Sequence, residues 1–225
     1  MRATWIAVQG ASRDEVLAAL QLEVLPDGEA GSWFEGNYSC RAFPGGWLVV
    51  ASQEGLDLAS DLASAAATTQ RLALGAEMST IVMFSEACGY QDGQRQWSMI
   101  HDPEDEDDPL AIEGEPPAIV AELKAKALED PDDDDGADIV FEAPMQVIAH
   151  YTGFVYDEDE ATDWVRLRAT AARPVARDRP KPPRPPGPPV QSEQPRPSLL
   201  SLLALAMATI ILVGWGVQTI LRLVL

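Results

Sequence analysis

The chain has 225 residues, and 36 Asp and Glu against 16 Lys and Arg give it a formal charge of −20. That length accommodates one ordinary domain plus appendages, and 46% hydrophobic residues suffice for a sizeable core, which excludes a wholly disordered chain. Two cysteines exclude a disulfide scaffold and a four-cysteine zinc site, and the acidic balance argues against direct binding to nucleic-acid phosphates or anionic lipid.

From the N-terminus, Thr4–Gln9 reads as a first strand. The apolar part, Thr4–Val8, is too short for a signal peptide despite Arg2. Ser12 with Glu15 forms a capping-box pattern, and Val16, Leu17 and Leu20 line one face of the helix that follows. Residues 27–37 read as a Gly/Glu-rich loop. Tyr38–Phe43 and Trp47–Ser52 are strands joined by Pro44-Gly45-Gly46, a turn by composition. Leu58, Leu62 and Ala66 space a second helix, and Leu72–Glu77 is a strand. Thr80–Ala87 and Gln94–His101 are expected to form a hairpin across Gln91-Asp92-Gly93, because Asp-Gly supplies the positive φ such turns need. Pro117 starts a third helix carrying Ile119, Val120, Leu123 and Ala127 on one side. Ile139–Phe141 reads as a last strand and Pro144–Tyr151 as a last short helix. This order predicts an α+β domain over residues 1–172: a mainly antiparallel sheet with helices on one face, its first six elements in ferredoxin-like split βαβ order.

The charge is unevenly distributed. Residues 1–172 hold 9 Lys/Arg and 34 Asp/Glu, whereas residues 173–225 hold 7 and 2. The basic part divides again. Residues 173–197 contain 10 of the 18 prolines, centred on Arg179-Pro-Lys-Pro-Pro-Arg-Pro-Pro-Gly-Pro-Pro189. Proline blocks helix and ladder hydrogen bonds, so this linker is expected to be extended polyproline II, reaching at most roughly 75–80 Å. Arg179, Pro182 and Pro185 also match an R-x-x-P-x-x-P ligand of SH3-type grooves, a match that any basic proline run produces.

Residues 198–225 are almost wholly apolar, and Leu199–Val217 carries no charge. About 20 such residues in a helix span roughly 30 Å, the thickness of a hydrocarbon core. Trp215 falls at an interface and Arg222 is placed to snorkel. A span at this position predicts a tail anchor inserted after translation. Arg173, Arg177, Arg179, Lys181, Arg184 and Arg196 precede it and Arg222 alone follows, so the positive-inside bias places the acidic domain in the cytoplasm, at a bacterial inner membrane. Ala204 and Ala208 make one small-xxx-small step, which by itself is ordinary for lipid-facing alanines.

Twenty of the domain's 34 acids lie in three runs, Asp102–Glu115, Glu129–Asp138 and Asp157–Asp163. They are either solvated loops that keep the protein soluble or, if they converge, one negative surface for a basic protein. The residues assigned to that surface are Asp102, Glu104, Asp105, Glu106, Asp107 and Asp108 in the first run. The second contributes Asp132, Asp133, Asp134 and Asp135, and the third Asp157, Glu158, Asp159 and Glu160.

Other chemistries have weaker signals. Asp133, Asp135, Gly136 and Glu142 fall at positions 3, 5, 6 and 12 of a calcium loop, but Pro131 at position 1 has no side-chain oxygen and Pro144 interrupts the exiting helix. His101 beside Asp102, Glu104 and Asp105 has no second histidine at ligand spacing. His150 reads as a packing residue, Cys40 and Cys88 as buried thiols, and Trp5, Trp33, Trp47, Trp97 and Trp164 as core rings. The chain lacks G-x-S-x-G, H-E-x-x-H, G-x-x-x-x-G-K-[ST] and G-x-G-x-x-G. No cofactor, metal site or small-molecule substrate is indicated.

Pro44-Gly-Gly-Trp47, Met83-Phe-Ser through Asp92-Gly93, Trp97-Ser98, His101-Asp102, Glu113-Gly-Glu-Pro-Pro117 and Thr152-Gly-Phe154 together resemble a family of small uncharacterised bacterial proteins over roughly residues 1–155. The resemblance implies no activity and no catalytic residues, and small acidic bacterial domains of this sort resemble toxin immunity proteins. The expectation is therefore a tail-anchored, non-enzymatic module that captures a basic partner at the cytoplasmic face of a membrane. The alternatives are a metal-dependent hydrolase using His101 with nearby carboxylates, and an adaptor that acts through its proline-rich segment.

Overall fold

The computed structural model describes residues 1–26, 30–53, 55–105, 107–129 and 138–173. The first strand, β1 (Arg2–Gln9), is buried at every position between its ends. It is flanked on both sides by antiparallel partners, with Ile6 opposite Val50 of β5 (Trp47–Ser52) and opposite Gly75 of β6 (Ala73–Ser79). The sheet grows outward from this centre. On one side β5 pairs with β4 (Tyr38–Phe43), β4 with β10 (Trp164–Ala169), and β10 with the short strands β2 (Leu22–Val24) and β3 (Ala30–Gly31). On the other, β6 pairs with β7 (Phe84–Gln91), β7 with β8 (Gln94–His101), and β8 with β9 (Ala111–Gly114). Among the described residues every pairing is antiparallel, and four α-helices complete an α+β domain: α1 (Arg13–Ala19), α2 (Leu58–Thr69), α3 (Ala118–Glu129) and α4 (Ile139–Thr152).

The helices lie on both faces, not on one. Side chains alternate along a strand, so Ile6 and Val8 of β1 point opposite to Trp5 and Ala7. Ile6 and Val8 join a core with Val16 and Leu20 around α1 and with Leu62 of α2. Trp5 and Ala7 join a second core with Val120 of α3 and Val147 of α4. The reason is written in β1 and β5. Trp5–Val8 and Trp47–Ala51 are continuous apolar runs, and a strand with a solvated face would alternate instead.

Local sequence signals account for several elements. The capping box is formed: the Glu15 amide donates to Ser12 Oγ at 3.3 Å, and the Ser12 amide donates to Glu15 Oε2 at 2.8 Å. The β7–β8 hairpin closes at Asp92 (φ 52) and Gly93 (φ 78), the paired positive φ of a type I′ turn. The preceding strand begins later than expected, because residues 80–83 make the β6–β7 turn with Met83 at φ 49.

Ile139–Phe141 is not a strand but the first turn of α4. Its β-branched composition is overridden by Asp138, whose carboxylate accepts the Phe141 amide at 2.9 Å as an N-cap. Pro144 sits inside this helix and removes one backbone donor. The fully buried Ser85 hydroxyl supplies a donor in the same turn, to the Phe141 carbonyl at 2.6 Å. Ser85→Ala is expected to cost about 1–3 kcal/mol, read as a fall in urea midpoint with an unchanged slope.

The chain re-enters the domain at its end. β10, which carries no strand expectation from the sequence, inserts between β4 and β2 with Trp164 fully buried. Arg173, expected as the first residue of the linker, then folds back onto the α1–α2 face. Its guanidinium donates to Asp61 Oδ2 at 2.6 Å, to the Gly55 carbonyl at 2.9 Å and to the Leu20 carbonyl, and lies over the Tyr38 ring.

Among the described residues no helix is long and apolar enough to cross a membrane. The linker beyond Arg173 and the expected span 198–225, with Ala204, Ala208, Trp215 and Arg222, lie outside the described residues.

Candidate functional site

The three acidic runs have different fates. In the first, Asp102 Oδ1 accepts the Glu104 amide at 3.0 Å, and Asp105 Oδ1 accepts the amides of Asp107 and Asp108 at 3.3 Å. These carboxylates shape their own loop, as short acidic side chains commonly do. Asp108 pairs with Lys124 of α3 at 2.7 Å, which holds the run against that helix, while Glu104 and Asp107 remain exposed. Glu106 and all of Asp132, Asp133, Asp134 and Asp135 lie outside the described residues.

In the third run Asp157, Glu158 and Glu160 are exposed, but Asp159 is turned inward, its side chain 10% exposed. It pairs with Arg41 at 3.2 Å and accepts the Trp164 indole N–H at 3.0 Å. Asp163 pairs with the same guanidinium at 2.8 Å. Asp159 is thus a structural anchor for β10 and leaves the candidate partner surface. Sequence alone could not separate it from its neighbours, because the distinction depends on Arg41, 118 positions away.

The first half of α4 touches residues at the borders of the acidic runs. His101, which ends β8 just before the first run, sets its ring 6.1 Å from that of Phe141. Asp138, the last residue of the second run, caps the helix. One turn on, Glu142 lines a cleft of ≈ 290 Å³ together with Asp157 and Glu158 of the third run. Trp5 and Ala76 contribute from the sheet, and Phe154 and Tyr156 from the segment that follows α4. That segment exists because Gly153, at φ 75, ends α4 in the left-handed region and turns the chain back over the sheet. The rings of Trp5 and Tyr156 lie 5.5 Å apart, and the Trp33 indole N–H donates to the Tyr156 carbonyl at 3.1 Å. Burial first, and then the nearby carboxylates of Glu142 and Asp157, push the Tyr156 phenol up to about 12, so it stays a neutral donor.

The remaining candidates resolve as packing or electrostatic features. His101 is buried, with Nδ1 2.8 Å from the Pro109 carbonyl. Among the described residues no three His, Cys, Asp or Glu side chains are grouped to hold a metal ion. His150 is exposed rather than packed inside, edge-on to Tyr151 at the C-terminal end of α4. Cys40 and Cys88 are free and buried, and burial pushes Cys40 to about 11 and Cys88 well above its ordinary value, which leaves both protonated and unreactive. Of the calcium-loop candidates Asp133, Asp135, Gly136 and Glu142, only Glu142 lies among the described residues, and it lines the cleft. The five tryptophans expected in the core are all buried.

The sequence analysis missed one titrating cluster on the outer strands. Glu86 of β7 lies directly opposite Glu77 of β6, and Arg95 of β8 reaches Glu86 at 3.8 Å and Glu113 of β9 at 2.8 Å. Burial first, and then Glu77, push the Glu86 carboxyl up to about 7, against the opposing pull of Arg95. The only sequence signal is cross-strand register, which needs the pairing to be known.

Fold and site together define an antiparallel α+β protein with an acid-rimmed, aromatic-walled cleft between a helix and the chain that leaves it. No family model matches the chain, and neither a curated protein nor a solved structure matches it.

Proposed function

We propose that this chain is a non-enzymatic binding module whose acidic surface captures a basic protein, in the manner of an immunity or inhibitor protein. Residues 198–225 would hold it in a bacterial inner membrane, with the domain on the cytoplasmic side. The observation that carries the reading is the cleft beside α4, where Glu142, Asp157 and Glu158 face one space and none of the lining residues is basic. Asp157 and Glu158 come from the third acidic run, and Glu142 of α4 joins them there. Surface charge of one sign steers an oppositely charged partner and raises its association rate, an effect that salt screens. The membrane tail and the linker would raise the local concentration of the trap where its target enters or acts. The interleaved crossovers, β1–α1–β4 around β5 and β5–α2–β6 around β1, support reading the N-terminal half as ferredoxin-like.

The test is affinity capture with the full-length chain from detergent extracts, followed by kinetics on the captured protein. A stoichiometric basic partner is expected, retained at about 50 mM salt and released at about 500 mM. Asp157→Asn with Glu158→Gln and Glu160→Gln should slow association about tenfold without lowering the melting temperature. A partner held equally at both salt concentrations, or by both proteins at the same rate, would sink the reading. Retention of the partner after deletion of 179–189 would count against the proline segment as its ligand.

A further inference from the structure

We propose that the open half of the sheet face around Phe84 and Ile100 is the surface through which two copies of this chain pair. The inference goes beyond the protein-capture reading and uses a different part of the molecule. Glu77, Glu86, Ile100 and Ala111 stand opposite one another in a row across β6, β7, β8 and β9. Phe84 and, by way of Ser79, Arg2 lie in the next row towards the β6–β7 turn. Side-chain alternation puts both rows on the face that carries α1 and α2, because Cys88, two residues from Glu86, belongs to that core. Leu58 and Leu62 of α2 lie against Gly75, one row further in, and among the described residues no helix reaches the two outer rows.

The apolar side chains there are left over from folding. Phe84, Ile100 and Ala111 are partly exposed and belong to neither core. Ile81 and Val82, 82% and 58% exposed in the adjoining turn, continue the patch past the end of the strands. Contiguous apolar surface of this kind on a soluble domain marks an interaction site.

Charge identifies the occupant. Residues 1–172 hold 34 Asp and Glu against 9 Lys and Arg, so two copies repel over most of their surface. This face is different: the guanidiniums of Arg2 and Arg95 stand among the carboxyls of Glu77, Glu86 and Glu113, with Arg95 3.8 Å from Glu86 and 2.8 Å from Glu113. Burial, followed by Glu77, holds the Glu86 carboxyl up to about 7, which brings the face close to balance near neutral pH. A basic protein finds little excess negative charge here and an anionic bilayer little excess positive charge, whereas a second copy brings both signs. A two-fold axis along β7 sets the β1 flank of each copy, with Arg2, over the β9 flank of the other, with Glu113, and places Phe84 against its own symmetry mate. Two rows on strands about 4.8 Å apart, with the turn, offer on the order of 500 Å² per copy, the lower limit of a specific interface, so a micromolar dimer is expected.

The test uses the full-length chain in mild detergent. Phe84→Cys on this face and Gln94→Cys in the β7–β8 turn, at the other end of the sheet, are oxidised separately; Cys40 and Cys88 are buried and do not compete. A disulfide needs Cβ atoms roughly 3.5–4.5 Å apart, so Phe84→Cys is expected to cross-link two chains and Gln94→Cys is not. Sedimentation of the parent should show a dimer that dissociates at micromolar concentration. Ile100→Lys, and separately Ile81→Ser with Val82→Ser at the exposed turn, should weaken it at least about tenfold without lowering the melting temperature. Glu86→Gln, faced by Glu77, Arg95 and Glu113, should tighten it at about pH 8, and Asp157→Asn with Glu158→Gln should leave it unchanged. A parent that stays monomeric up to about 100 µM, equal cross-linking at both positions, or a dimer indifferent to every variant of this face overturns the proposal. So does a monomer that needs Ile81 and Val82 to hold its basic partner or phosphatidylcholine vesicles, which would give the face to that partner or to lipid.

Discussion

Arg173→Ala is expected to destabilise the domain by about 3–5 kcal/mol, a large fraction of the total stability of an ordinary domain. The side chains of Arg173 and Asp61 are only 4% and 9% exposed, so removing the guanidinium strands a carboxylate in the interior. It also takes donors from the Gly55 and Leu20 carbonyls, and it uncovers one face of Tyr38. Asp61 retains the Asp57 amide at 2.7 Å, which offsets part of the loss. Urea denaturation followed by the fluorescence of the buried tryptophans reads the effect. Arg173→Leu combined with Asp61→Leu should recover the part of the loss that comes from the unpaired charge, but not the part that comes from the Leu20 and Gly55 carbonyls and the Asp57 amide losing their partners. A variant that melts with the parent would show that the pair contributes nothing. The same reasoning predicts that a fragment ending at residue 172 is as unstable as Arg173→Ala.

Glu86→Gln is expected to act in the opposite direction and only above acid pH. The ordinary carboxyl value is 4.5, and in the folded protein Glu86 is raised to about 7. The folded state therefore holds this proton more tightly than the unfolded chain does. Its stabilising effect is fully present below about 4.5 and is lost as pH rises through the folded value near 7. At about pH 8 both states are ionised and the folded one carries the burial and the repulsion from Glu77, a cost of up to about 3 kcal/mol. Glutamine removes that charge at little change in volume, and Arg95 keeps Glu113 as a partner at 2.8 Å. The variant should be more stable than the parent at about pH 8 and nearly equal to it at about pH 4, in urea titrations at both. Equal stability at the two pH values would mean that Glu86 ionises normally. The groups facing it are Glu77 from β6, Arg95 from β8 and Glu113 from β9, so Glu77→Gln should lower the Glu86 value.

How far the sequence was legible depends on the range of the interaction behind each feature. The Ser12–Glu15 box and the Asp92-Gly93 turn are made by residues no more than three apart, and they form as read. The strands at Tyr38–Phe43, Trp47–Ser52 and Gln94–His101 are likewise visible in their own composition and punctuation. Ile139–Phe141 misleads because three apolar residues cannot tell a strand from a helical turn. The deciding contact is the Asp138 cap, and the helix then runs through Pro144 in a turn where Ser85 also bonds the backbone. For the candidate site, the acids of the third run were visible as charge, but their roles were not. Asp159 faces inward and Asp157 faces the cleft, two residues apart in one loop.

Taken alone, the sequence determined an acidic α+β domain with antiparallel pairing, its caps and its hairpin, because propensity, capping and turn chemistry act between near neighbours. Tertiary structure decided the rest: helices on both faces, β10 between β4 and β2, Arg173 buried on Asp61, and the aromatic cleft between Glu142 and Asp157. Each of these joins segments far apart in the chain. Hydrophobic burial is non-directional, so a run of apolar residues records that it will be covered without recording by what.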